Sequence, residues 1–128
     1  MKLIKALHIT ALTLFILGLT FGSACATDND IKSLSVKKCS IFSITLRSNP
    51  TTGYSWKIAK ISSPLIVKNL SSEYLPDNTG LTGSGGREIW KFKALKCGNA
   101  SIEFVYQRPW EKNVAPAEKK KYLVKVRP

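Results

Sequence analysis

Histidine is almost missing from this 128-residue chain, whose only one is His8. With His8 inside an N-terminal leader, the folded part has none, which excludes a Ser-His-Asp or Cys-His catalytic pair and any zinc site built on imidazole. Cysteine is scarce, three residues in all, and acids are outnumbered by bases, 8 to 20, for a formal charge of +12. The acids Glu73, Asp77, Glu88, Glu103, Glu111 and Glu118 are dispersed and suggest no glycosidase-like carboxylate pair. Beyond the leader there is no internal repeat, no low-complexity tract and no helical periodicity. Enzyme is therefore the weaker class, and no cofactor or metal is expected.

The chain opens as an export signal does. Lys2 and Lys5 precede an apolar run from residue 6 to 21, and Ala24-Cys25-Ala26 gives an A-x-A cleavage pattern. The run is short for a membrane span, and Thr10, Thr13 and Thr20 interrupt it. Residues 1–26 thus read as a signal peptide and 27–128 as one domain, periplasmic or secreted, with no span after processing. Ser23-Ala24-Cys25 also resembles the end of a lipoprotein signal, but Gly22 stands where an aliphatic residue is usual, so lipid on Cys25 is the minor route. Cys39 and Cys97 remain, an even pair in an exported domain and hence a disulfide candidate. Such a bridge would stabilise by roughly 4 kcal/mol through loop closure. Two buried free thiols are the alternative.

The period of the mature chain is two. Strands are expected near residues 33–36, 42–46, 54–58, 65–67, 88–94, 100–106 and 121–126, with Trp56, Trp90, Phe92, Phe104, Tyr122 and Val124 facing inward. Asn49-Pro50, Pro64, Pro76-Asp77-Asn78, the glycines from 83 to 86, Gly98-Asn99 and Arg108-Pro109 punctuate them as turns or loops. Seven or eight short strands in about 100 residues predict an all-β, immunoglobulin-like antiparallel sandwich. In that topology the second-to-third, fourth-to-fifth and sixth-to-seventh connections share one end, and Cys39 and Cys97 fall at the other.

Each of the three connections can act. In the first, Asn49-Pro50-Thr51-Thr52-Gly53-Tyr54, Pro50 fixes φ and Gly53 permits a positive one, so a rigid protrusion with hydroxyls at its tip, or an ordinary turn, results. The second, roughly 75–86, contains Gly83-Ser84-Gly85-Gly86; a strand follows rather than a helix, which disfavours phosphate binding and favours backbone thin enough to lie along another protein, or plain flexibility. The third begins Arg108-Pro109-Trp110, where Trp110 is either an interface anchor beside Arg108 or a core residue folded back.

Those three segments, in order and spacing, resemble the signature segments of the chagasin-type inhibitors of papain-like cysteine peptidases, and the resemblance runs from about residue 33 to 126. It implies an immunoglobulin-like fold and a reversible, non-covalent inhibitor, monomeric when free, whose partner is such a peptidase. By resemblance, Thr51 and Thr52 enter the active-site cleft, the strip from Gly83 to Gly86 runs along one side through main-chain contacts, and Arg108 and Trp110 grip the other. The rival expectation is a secreted immunoglobulin-like binding or adhesion module using the same tip. The basic balance suits an acidic protein, an anionic envelope or nucleic acid. Nucleic acid is not expected, because it gives the three loops no role, and Lys119-Lys120-Lys121 serves solubility or attraction to an acidic target.

Overall fold

A computed structural model describes residues 29–128; the leader, its cleavage pattern and Cys25 lie outside them. Seven strands form: β1 (Asn29–Lys37), β2 (Ile41–Ser48), β3 (Ser55–Ile61), β4 (Val67–Pro76), β5 (Gly86–Ala94), β6 (Gly98–Gln107) and β7 (Glu118–Arg127). They make two sheets, one ordered β1-β7-β6-β3 and the other β2-β5-β4. All pairings are antiparallel except β1 with β7, which run parallel.

Alternating apolar residues close the space between the sheets. On β6, Ala100, Ile102 and Phe104 are buried while Ser101, Glu103 and Val105 turn outward, and β7 repeats this with Tyr122, Val124 and Val126. Phe104 sits at the centre, edge-on to Trp90 (5.4 Å), Phe92 (6.2 Å) and Tyr122 (5.9 Å). Each such ring contributes about 2–3 kcal/mol by leaving water.

Two expectations change. The fourth strand is not the short 65–67 segment but ten residues starting at Val67, while Leu65 lies exposed in the preceding turn. β4 is an edge strand held by its backbone ladder to β5, so Ser71, Ser72 and Glu73 need no apolar alternation, and period counting passes over them. The cysteines do lie at the end away from the three loops, in the β1–β2 and β5–β6 turns. Both are free and exposed, neither bridged nor buried.

The run Lys119-Lys120-Lys121 is not one patch. Strand alternation splits it: Lys120 leans inward, with Nζ 5.6 Å from the Trp56 ring centroid and 3.9 Å from the Asp30 carboxylate, while Lys121 pairs outward with Glu103 at 3.5 Å.

Candidate functional site

The loops at residues 49–54, 77–85 and 108–117 emerge at one end of the sandwich. In the first, Pro50–Thr52 form a single 3₁₀ turn, a shape the chain reaches because Pro50 supplies its fixed φ at the first helical position. Asn49 caps it: its side-chain oxygen accepts from the Thr51 amide (3.2 Å) and hydroxyl (2.5 Å). The Thr52 hydroxyl donates to the Asn49 carbonyl at 2.6 Å, and the Gly53 amide closes the turn on the Pro50 carbonyl at 2.9 Å. Gly53 then leaves it with φ +82°, in the left-handed region. Thr51 and Thr52 stay exposed at the tip.

Asn49 and Arg108 tie the loops together. The Asn49 amide nitrogen Nδ2 donates to the Gly83 carbonyl at 3.2 Å, joining the first loop to the second. Arg108 Nε donates to the Thr52 carbonyl at 3.1 Å, joining the third to the first, and its guanidinium lies 4.5 Å over the Tyr54 ring and pairs with Glu111 at 3.1 Å. Trp110 is 65% exposed, yet its indole rests on Gly53 so closely that a Cβ there would collide with it. The question over Trp110 is answered: it belongs to the tip, not the core.

Beneath lies an aromatic stack. Tyr54 stacks on Tyr106 (5.3 Å) and Tyr106 on Trp56 (4.8 Å); the Tyr106 hydroxyl accepts from the Asn49 amide at 2.9 Å, and Trp56 Nε1 donates to the Arg47 carbonyl at 2.7 Å. Arg47 in turn makes a two-pronged pair with Asp77, at 3.0 and 2.7 Å, which fixes the start of the second loop to the end of β2. That pair holds the Asp77 carboxyl below its usual range, chiefly through the Arg47 hydrogen bond, and raises the guanidinium.

The structure divides the glycine strip. Gly86 is buried within β5, where a Cβ would meet the Tyr74 hydroxyl (2.7 Å) and Pro76 Cα (2.8 Å), and a Cβ on Gly85 would meet the Ser48 carbonyl at 2.8 Å. These two glycines let the loop base approach β2 and β4. Ser84 donates back to the Leu81 carbonyl at 3.0 Å, so what faces outward is Gly80, Leu81, Thr82 and Gly83. Leu81, 72% exposed at the crown of this loop, was not singled out in the sequence; an apolar residue between glycines in a solvent-facing loop was the available signal. Tyr54 lies half-buried in the stack and supports the loop from below. Pro109 is exposed beside Trp110.

A family model described as "Chagasin family peptidase inhibitor I42" matches residues 35–126, from late in β1 to the next-to-last residue of β7. The chain belongs to the chagasin family. That family consists of peptidase inhibitors, not enzymes. Amoebiasin-2 of Entamoeba histolytica is 31% identical over 98 residues, 77% of this chain and 80% of that protein. Chagasin of Trypanosoma cruzi is 31% identical over 81 residues, 61% of this chain and 74% of that one. Among solved structures, the cysteine protease inhibitor EhICP2 of Entamoeba histolytica superposes with a TM-score of 0.59 at 27% identity, covering 78% of this chain and 98% of its own. The chagasin-family match spans all three loops, so the tip built by Asn49 and Arg108 lies inside the shared domain.

Proposed function

We propose that this chain is a reversible inhibitor of papain-like cysteine peptidases that fills the active-site cleft with its three-loop tip. The observation that carries this is the convergence of the loops: Asn49 binds Gly83 and Arg108 binds Thr52, so Thr51, Thr52, Leu81 and Trp110 are presented from one hydrogen-bonded wedge. A wedge already ordered loses little freedom on docking, and an exposed Trp beside an Arg supplies the anchor that protein interfaces favour. Thr51 and Thr52 offer no bulk and no charge at the apex, as entry to a narrow cleft requires. The rest of the contact comes from Gly80, Leu81, Thr82 and Gly83 on one side and Arg108, Pro109 and Trp110 on the other. The blockade is non-covalent: the Thr51 and Thr52 hydroxyls donate to the side-chain and carbonyl oxygens of Asn49, not to a base that would activate them as nucleophiles.

Titrating the mature domain into papain and a cathepsin L-like enzyme tests this. Stoichiometric loss of activity at sub-micromolar concentration is expected, and Thr51→Glu with Thr52→Glu weakens it at least a hundredfold with the fold intact. Full peptidase activity at micromolar domain would turn the reading toward an immunoglobulin-like binding module.

Export belongs to the same reading. The basic, apolar and small-residue order of residues 1–26 supports removal of a signal peptide. β1 starts beside the third loop, with Asn29 opposite Lys119. A lipid on Cys25, four residues earlier and so at most about 14 Å of chain away, would hold the inhibitory tip against a membrane, which favours cleavage over lipidation. An oxidising compartment would then favour pairing of Cys39 with Cys97. Mass spectrometry of the exported protein reads both points: a start at Thr27, and a mass lower by two hydrogen atoms if the thiols pair.

A further inference from the structure

The end of the sandwich opposite the loops carries basic side chains and no acidic ones. The β1–β2 turn carries Lys38, the β5–β6 turn Lys96, and the strand ends beside them Lys37, Lys68, Lys93 and Arg127, all exposed. No aspartate or glutamate occurs in residues 33–43, 61–71, 91–102 or 123–128, the segments that build this half. The acids lie elsewhere and are largely engaged: Asp30 with Lys32, Asp77 with Arg47, Glu103 with Lys121, Glu111 with Arg108, and Glu88 with the Trp56 amide. Lys68 and Lys93 stand directly opposite one another on paired strands, an arrangement that destabilises an isolated sheet and that a bound anion relieves. The two most exposed aliphatic side chains among these segments are Leu65 (70% exposed) in the β3–β4 turn and Ile41 (63% exposed) opposite Lys93.

We infer that this pole seats on an anionic lipid surface, with Leu65 and Ile41 entering the interface and the inhibitory tip facing away from it. Basic side chains gather at anionic headgroups, and protruding aliphatic groups gain from the apolar boundary just beneath; a nucleic acid would use the charge but not the two aliphatic residues. Membrane seating requires nothing of the inhibitory reading; only the usefulness of the outward tip rests on it.

The test is sedimentation of the mature chain with phosphatidylcholine vesicles, with and without a third of phosphatidylglycerol, at low and high salt. Binding is expected only to the anionic vesicles and is lost at high salt. Each lysine removed lowers partitioning about fivefold, so Lys37→Gln, Lys38→Gln and Lys96→Gln together lower it about a hundredfold, and Leu65→Ser lowers it about tenfold. Trp110→Ala at the other end leaves it unchanged. Thermal melting of each variant confirms the fold, and papain inhibition is measured separately, so either reading can fail without the other. Equal binding to neutral vesicles, no binding to either, or tight capture of DNA or heparin with none of vesicles overturns the proposal.

Discussion

Gly53 does two jobs that only glycine can do together. Its φ of +82° costs an L-residue about 1–2 kcal/mol, and its missing Cβ is where the Trp110 indole rests. Gly53→Ala should therefore lower stability by about 2 kcal/mol and also push Trp110 off its seat. Calorimetry would show the first effect, and a loss of inhibition larger than the melting shift would show the second. Trp110→Ala separates anchor from scaffold. Its ring is mostly in solvent, so stability should move by no more than about 1 kcal/mol, while inhibition falls about thirtyfold or more if the indole is an interface hot spot of at least about 2 kcal/mol. A large melting shift with unchanged inhibition would place Trp110 in the scaffold instead.

The loops act as elements because their bases are pinned to strands. Arg47 is the next-to-last residue of β2 and Asp77 opens the second loop, and their paired hydrogen bonds make a strap between the two. Asp77 titrates below the ordinary carboxylate range because Arg47 bonds its charged form. The strap's contribution is thus complete above the unfolded value of about 3.9 and fades only as pH falls through the lower folded value. Asp77→Asn should weaken inhibition severalfold at pH 5 and at pH 7 alike, and the gap from wild type should narrow only below about pH 4. A gap that closed between pH 5 and 7 would show that another group carries the effect. Much of this element scale was legible beforehand. Alternation in β2, β3, β5, β6 and β7 announced the two sheets because each buries one face, and Pro50, Gly53 and Pro109 marked the loops. What stayed hidden depends on residues far apart in sequence: the Asn49–Gly83 and Arg108–Thr52 bonds, the length of an edge strand that needs no alternation, and the close approach of the Gly85 and Gly86 backbones to β2 and β4.

At the scale of the molecule, the two ends differ in chemistry and in which chain terminus they carry. β1 runs parallel to β7, so its first residue stands beside the start of β7: Asn29 faces Lys119, and Asp30 lines a pocket with Ala115, Pro116 and Ala117 of the third loop. β7 then runs away from the tip, pairing Val126 with Gly98 at the basic end. Any bulk added before Asn29 leaves the sandwich next to Trp110's loop, whereas bulk added after Arg127 leaves it at the far pole. A folded partner joined by a two-residue linker ahead of residue 29 should weaken peptidase inhibition at least tenfold, since docking would have to displace it. The same partner joined after Pro128 should leave inhibition within twofold, and melting temperatures should match. Lengthening the N-terminal linker to about 20 flexible residues, whose mean span is roughly 25 Å, should restore inhibition. Recovery with linker length distinguishes crowding at the tip from damage to β1, and equal inhibition by both short fusions would mean that the peptidase docks on a different end of the sandwich.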